Sequence, residues 1–347
     1  MTERNKQVTE LKELGEFQLI EALTKDVKIY HKSTIKGVGD DAAIIDAGDK
    51  AMVVTTDMLM EGIHFSLVYT PLMHLGYKAA IVNFSDVYAM NAKPKQMVVS
   101  IAVSGKFTLE ALQDFYAGLR LACDTYQVDL VGGDTTSSLT GMAISITVIG
   151  EVEKNKITYR NGAKINDLIC VTGDLGAAYL GLQVLEREKQ LFEQNKNFQP
   201  KLDGYDYVLH RQLKPEARKD LIDFLEEKNI VPTSMIDISD GLSSELLHLC
   251  SQSNLGCKVF QHKIPVGDKA ELVAAELNLE PLICALNGGE DYELLFTVPL
   301  VDYEKIMKNT EISVIGHMVD TSEGRYMITE ADTAIELRAQ GWNAYGG

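Results

Sequence analysis

The strongest constraint on this chain is the way its acid is distributed. Six short acidic segments recur along it: Gly39-Asp40-Asp41-Ala42-Ala43, Thr55-Thr56-Asp57, Asn83-Phe84-Ser85-Asp86, Gly132-Gly133-Asp134-Thr135-Thr136, Asp237-Ile238-Ser239-Asp240-Gly241 and Gly288-Gly289-Glu290-Asp291. Most follow a glycine or an apolar, strand-like run. Carboxylates gathered at strand ends repel one another, so a fold that collects them must supply cations. Carboxylate oxygens beside Thr and Ser hydroxyls are hard donors of the kind Mg²⁺ takes, and Mg²⁺ suits phosphate chemistry. One Asp after a Gly is ordinarily a turn residue. Recurrence of the same polar chemistry where apolar runs end is what points to a site.

Composition narrows the class. The 347 residues suggest two domains, and 46% hydrophobic with 24% charged residues is ordinary for a globular chain with a real core. A formal net charge of -17 opposes binding to nucleic acid or an anionic membrane, and makes a bound polyphosphate improbable unless metal ions screen it. Five cysteines at irregular spacing, with no C-x-x-C pair, argue against a disulfide framework or a zinc site. His248 and Cys250 lie close together but do not make a site by themselves. The polar N-terminus lacks an apolar signal core, no run approaches a membrane span, and a reducing cytoplasm is the expected compartment.

Periodicity gives an α/β chain of the α+β kind with mixed sheets. Helices are expected at 11–23, 75–90, 109–126, 177–186, 215–228 and 241–251. Strands are expected at 42–45, 51–55, 96–104, 128–131, 143–150, 168–172, 234–238, 294–298 and 313–315. Asn83 and Asp86 are three apart and share one helix face. Residues 187–207 read as an exposed connection. The units divide near residue 150, giving 1–150 and 151–347, and acid at strand ends in both halves suggests two layers facing a shared cleft. No Walker-type loop and no protein-kinase signature set is present. Gly173-Asp174-Leu175-Gly176 enters a helix and reads as a tight turn or an anion-binding helix start.

Several longer strings resemble the thiamine-monophosphate kinase family: 37–43 (Gly-Val-Gly-Asp-Asp-Ala-Ala), 55–65 (Thr-Thr-Asp-Met-Leu-Met-Glu-Gly-Ile-His-Phe) and 82–94, which contains Asn-Phe-Ser-Asp. So do 131–136 (Val-Gly-Gly-Asp-Thr-Thr), 236–242 (Ile-Asp-Ile-Ser-Asp-Gly-Leu) and 287–294 (Asn-Gly-Gly-Glu-Asp-Tyr-Glu-Leu). The Gly-Asp-Asp and Ser-Asp-Gly elements also occur in the wider aminoimidazole ribonucleotide synthetase-like superfamily. The Asp-x-Leu-x-Glu-Gly-x-His-Phe string is more specific to the kinases. The resemblance runs from about Glu16 to Trp342.

The resemblance implies a two-domain aminoimidazole ribonucleotide synthetase-like fold whose N-terminal halves pair in a homodimer, with ATP and several Mg²⁺ ions in the cleft. The 1–150 unit would bind ATP and Mg²⁺ and dimerise; 151–347 would complete the ATP and thiamine-phosphate site. By motif match, Asp41, Thr55, Thr56, Asp57, Asp86, Asp134, Asp237 and Asp240 would hold metal. Gly133, Asp134, Arg160, Ser239 and Tyr116 would contact ATP. His64, Glu290 and Trp342 would contact thiamine phosphate. Plainer roles stay open for some of these: a backbone-capped strand-end histidine for His64, a helix cap for Glu290 and Asp291, a core seal for Trp342. The C-terminus departs from the family's Gly-aromatic-x-His-Phe ending, reading Gly-Trp-Asn-Ala-Tyr-Gly-Gly. Alternative expectations are another ATP-using enzyme of the superfamily or a non-catalytic metal- or nucleotide-binding module. Selenophosphate synthetases normally carry a reactive Cys or selenocysteine near the N-terminus, and here no Cys precedes Cys123.

Overall fold

The computed structural model describes residues 15–339. Trp342 therefore lies outside the described residues, as does the start of the helix expected from residue 11. After α1 (Gly15–Thr24) come β1 (Thr34–Lys36), β2 (Ala43–Ala47), β3 (Lys50–Met60), α2 (Leu72–Ala89), β4 (Lys93–Val103), α3 (Leu109–Tyr126), β5 (Asp129–Ser137) and β6 (Ala143–Glu153). The strands form one sheet in the order β1-β2-β3-β6-β4-β5, antiparallel except for β4 with β5. Residues of alternating burial build it. Ala51, Val53 and Thr55 of β3 and Ile144, Ile146 and Val148 of β6 turn to the core, while Thr56 and Met58 turn outward.

Helix α2 covers the inner face and is buried almost all round, which its apolar sequence permits. Helix α3 lies against it at very short range. A Cβ on Gly76 would stand 2.0 Å from the Phe115 carbonyl oxygen, and one on Gly118 would stand 1.9 Å from that of Met73. Two glycines thus let the backbones touch. Phe84, fully buried on α2, would cost about 3–5 kcal/mol to truncate to Ala.

The second unit contains β7 (Leu168–Thr172), α4 (Ala177–Gln194), α5 (Asp206–Leu213), α6 (Lys219–Lys228), β8 (Ser234–Asp237), α7 (Leu242–Ser253) and β9 (Gly256–Phe260). It continues with α8 (Asp268–Glu276), α9 (Pro281–Asn287), β10 (Leu294–Val298), α10 (Tyr303–Ile306), β11 (Ile312–Val319), β12 (Arg325–Ile328) and β13 (Ala334–Glu336). Its sheet has the order β13-β12-β9-β11-β7-β10-β8, antiparallel except for β9 with β12. One hydrophobic core runs through both units: Tyr77, Phe84 and Tyr88 of α2 share it with Leu221 and Leu225 of α6, Met235 of β8 and Phe296 of β10. Helix α2 therefore has one side toward each sheet, and this decides where the site falls.

Three expectations need correction. Thr55, Thr56 and Asp57 are not at a strand end; β3 runs on to Met60, paired with β6 along its whole length. Val128–Val131 is not a short buried strand ending at the glycines. β5 continues through Gly132, Gly133 and Asp134 to Ser137, largely exposed at the sheet edge, because β4 offers it a parallel partner as far as Val103. Residues 187–194 are helix, not connection, since α4 runs on to Gln194 with Glu188 buried one turn past Val184 and Leu185, and 206–207 already belong to α5.

Candidate active site

Three separated segments converge on one point. The loop before β2 brings Asp41, α2 brings Asp86 and the end of β8 brings Asp237; one carboxylate oxygen of each lies within 4.8 Å of the others. Asp41 and Asp237 are buried. The surrounding hydrogen bonds fix this meeting. The Thr55 hydroxyl donates to Asp86 Oδ2 at 2.6 Å, and the Ser85 hydroxyl donates to Asp237 Oδ2 at 2.6 Å, tying α2 to each sheet in turn. The Asp57 amide donates to Asn83 Oδ1 at 3.1 Å, so Asn83 and Asp86 both face β3, as their spacing predicts.

The charge is far from balanced. Burial, then Asp57, Asp237 and Asp41, lift the Asp86 carboxyl well above the ordinary carboxylate value, against the Thr55 hydrogen bond. Burial and then Asp41 push Asp237 up to about 7, against Ser85 and Arg160. Burial also raises Asp41, opposed by Arg160. Arg160 follows the first sheet in sequence and reaches back, its Nη2 2.6 Å from Asp41 Oδ1, while its backbone N–H donates to Asp40 Oδ1 at 3.0 Å. The buried Asp41 Oδ2 has no hydrogen-bond partner among the described residues. Among the described residues, Arg160 faces several carboxylates, which leaves excess negative charge that added cations could balance.

A second polar group lies on the other face of the first sheet. Register places Thr56 beside Thr147, and the Thr56 hydroxyl donates to the Ile146 carbonyl at 3.1 Å while accepting from Thr147. The same registers set Asp134 level with Ser100 and Ser145 on that open face, where it is exposed. Within this chain, therefore, Thr56 and Asp134 are not gathered with Asp41, Asp86 and Asp237. Gly133 lets β5 close on β4, since a Cβ there would stand 1.9 Å from the Val99 carbonyl oxygen. Tyr116 is half-buried on α3 against the core, edge-on to Phe115.

The loop 238–241 and the loop 288–292 lean on each other. The Glu290 N–H donates to the Ser239 carbonyl at 2.7 Å and the Tyr292 N–H to the Ile238 carbonyl at 2.9 Å. A Cβ on Gly289 would stand 2.2 Å from that Ser239 oxygen. Glu290 and Tyr292 both have left-handed backbones, φ 67° and 52°, at a cost of about 1–3 kcal/mol each that the surrounding bonds must offset. Ser239 is exposed and Asp240 half-exposed at the cleft side of α7. The helix cap is Asp291, not Glu290: it accepts from the N–H groups of Gly176 (2.7 Å) and Ala178 (3.4 Å). The helix start after Gly173-Asp174-Leu175-Gly176 thus already holds an anion, the protein's own. Glu290 instead meets Lys78 and Gln212, and His64 lines a small cavity with those two. His64 Nδ1 accepts from the Met60 N–H at 3.0 Å, which leaves Nε2 to carry the proton of the neutral ring.

Ser85, Lys78 and Gln212 are site-lining residues that motif reasoning passed over as individuals, whereas Asn83 is expected on the Asp86 face. Ser85 and Asn83 sit inside the Asn-Phe-Ser-Asp string. Lys78 has a fainter signal, as the one lysine in the 18-residue helix α2. Gln212 has none.

Two layers of similarity define the class and then the family. Residues 39–152 match the model of the AIR synthase related protein, N-terminal domain. The hydrogenase maturation protein HypE in complex with ATP shares the fold, with a TM-score of 0.68 at 19% identity over 98% of this chain and 100% of that one. The chain thus has the AIR synthase-like fold. Closer likenesses carry one name. The thiamine-monophosphate kinase of Bacillus subtilis (strain 168) is 32% identical over 341 residues, 96% of this chain and 100% of the relative. That of Aquifex aeolicus (strain VF5) is 33% identical over 336 residues, 96% and 99%. The solved structure of AaThiL complexed with AMPPCP and TMP superimposes with a TM-score of 0.82, at 30% identity over 97% of this chain and 99% of that one. This chain belongs to the thiamine-monophosphate kinase family.

Proposed function

We propose that this chain transfers the γ-phosphoryl group of ATP to the phosphate of thiamine monophosphate, giving thiamine diphosphate and ADP. The observation that carries the reading is the meeting of buried Asp41 and Asp237 with half-buried Asp86 beside Arg160. It comes in a chain whose relatives, over nearly its full length, are thiamine-monophosphate kinases. The donor set fits Mg²⁺: hard oxygens, excess negative charge and a buried carboxylate oxygen left without a partner. Asp41, Thr55, Asp57, Asp86, Asp237 and Asp240 would hold ions in the cleft, and Thr56 and Asp134 would do so from the open face. Bound Mg²⁺ would supply screening between two anionic reactants.

The residues of the chain do the rest. Arg160 would contact phosphate through the N–H groups that Asp41 does not take, with Gly133, Ser239 and Tyr116 as further ATP contacts. His64, Glu290 and Trp342 would hold the acceptor. A phosphate monoester has a second pKa near about 6, so the acceptor is largely ionised at neutral pH and needs no general base. Direct in-line transfer follows, with no phosphoenzyme. His64 would lie beside the acceptor, its Nδ1 accepting from the Met60 N–H. Coupled ADP release tests this. Thiamine monophosphate should turn over, free thiamine should be a poor acceptor, and chiral labelled ATP should give inversion at phosphorus. Efficient use of free thiamine, or retention, would overturn it.

We also propose the division of labour at about residue 150, with 1–150 binding ATP and Mg²⁺ and dimerising, and 151–347 completing the acceptor side. The open face of the first sheet exposes Met58 and Val98 and ends at the uncovered strand β5, features that pairing of two such faces in a homodimer would cover. Sedimentation at micromolar concentration should give a dimer, and a monomer would contradict the pairing. Among the described residues no helix is long and apolar enough to cross a membrane, and the five cysteines are buried free thiols. A cytoplasmic setting accords with both.

A further inference from the structure

We propose that Lys78 is a positioning residue for the acceptor: it sets the Glu290 carboxylate toward the ring end of thiamine phosphate. This rests on the phosphotransferase reading above.

Lys78 is buried on α2 and its ammonium has two partners, Glu290 Oε1 at 3.0 Å and the Gln212 carbonyl at 2.9 Å. Gln212 closes the ring, its Nε2 donating to Glu290 Oε2 at 2.7 Å. Both oxygens of one carboxylate are therefore held, one by the first unit and one by the second. The backbone of Glu290 is fixed as well, by its left-handed φ and its bond to Ser239. Yet the Glu290 side chain is 28% exposed, so it is not a core ion pair. A carboxylate offers about four acceptor positions, of which Lys78 and Gln212 use two.

Place along α2 gives the direction. Lys78 and Asp86 are eight residues apart on that helix, about 12 Å at 1.5 Å per residue. If the reacting phosphate lies at the acidic cluster, the cavity lined by His64, Tyr69, Thr70, Lys78 and Gln212 stands where the rings of the same molecule would reach. The thiazolium ring is a permanent cation. The Lys78 ammonium lines the same cavity and would repel the ring if unpaired, whereas the Glu290 carboxylate bound to it offsets that charge and attracts the ring. Lys78 therefore acts through Glu290 and does not itself touch the reacting atoms.

The test uses the full-length enzyme, with Lys78→Met, Lys78→Arg, Glu290→Gln and the Lys78→Met/Glu290→Gln double variant. In Lys78→Met the KM for thiamine monophosphate should rise about tenfold or more, as when one partner of a half-buried pair is removed. The KM for ATP should stay within about twofold, and Lys78→Arg should recover part of the loss. With Gln at 290, adding Lys78→Met should change the acceptor KM by less than about twofold, because the group it positions is gone. Equal rises in both KM values, or full additivity in the double variant, would overturn the proposal and make Lys78 a structural tie between the units. Should Lys78→Met fail to fold, Lys78→Arg decides by the same split: a rise in the acceptor KM alone supports the proposal, and equal rises in both KM values, or none, overturn it. Wild-type ADP release with thiamine monophosphate, run alongside, reports separately on the parent reading.

Discussion

Two groups of buried carboxylates sit within the second unit's reach, and they are built on opposite principles. Around Glu293 the protein supplies its own cations. Its oxygens meet Arg211 at 2.8 Å, Arg218 at 2.7 Å and the Thr172 hydroxyl at 2.6 Å. Asp291 beside it takes two backbone N–H groups, and Arg211 stands 3.7 Å away. Burial still lifts Asp291 to about 7, but Arg211 and both amides work against that rise. Around Asp86 the balance is reversed: the largest influences after burial are three further aspartates, and Arg160, the one arginine there among the described residues, pairs with Asp41. A compensated network is a way to hold a fold together. An uncompensated one destabilises the empty protein and is retained for what it binds.

The sharpest way to break this contrast is to neutralise the second group. Asp57→Asn and Asp86→Asn should each lower turnover by about a thousandfold or more while the chain stays folded, since each removes anionic oxygen where phosphoryl charge must be screened. Asp134→Asn should lose turnover as well, but it should leave the metal-free melting temperature unchanged because Asp134 is exposed on the other face. Steady-state rates at saturating Mg²⁺ check this, and near-normal activity in all three variants would remove the metal site.

The opposite outcome is expected at the compensated group. Glu293→Gln leaves two arginines, both largely buried, facing an amide, and should cost about 3–5 kcal/mol of stability. Urea denaturation with and without Mg²⁺ should show the same loss in both, since the role is structural. A loss confined to the Mg²⁺-bound form would erase the distinction between the two groups.

Much of this was legible in the chain, for physical reasons that differ by residue. Asp41, Asp86 and Asp237 announce themselves because a carboxylate after an apolar run is costly without a purpose. That they, and not Asp134, would meet could not be read. The meeting depends on which face of β3 and β5 turns inward, and period-two alternation fixes the faces only once strand ends and register are known. Because β3 runs on to Met60 and β5 to Ser137, Thr56 and Asp134 come to lie on the open face of the sheet. The helices with clear apolar periodicity, α2 and α3, were readable, and α2 carries half of the site. Short elements such as β1, β12 and β13 were not, because three or four residues carry no periodicity. Asp291 could be a cap on the evidence of its glycines alone. Which helix it caps, 115 residues earlier in the chain, is a tertiary fact.

The smallest expected effect is the one that reads the uncompensated charge directly. Asp237 titrates at about 7 in the folded protein against an ordinary value of 3.8, and Asp41 and Asp86 shift in the same direction. A raised carboxyl means that the folded state holds its proton more tightly than the unfolded chain. Stability from these groups is therefore fully present below 3.8 and is lost as pH rises through about 7. Without Mg²⁺ the protein should melt a few degrees higher near pH 5 than near pH 8, and Asp86→Asn should flatten that difference. Added Mg²⁺ should reverse the order, because metal competes with protons for the same oxygens and wins as they ionise. Glu293→Gln should leave the Mg²⁺ response intact while lowering both curves together. Scanning fluorimetry across pH, with and without Mg²⁺, measures all of this in one series. A metal-free melting temperature that climbs from pH 5 to pH 8 would mean that the cluster finds its counter-charge within the protein after all.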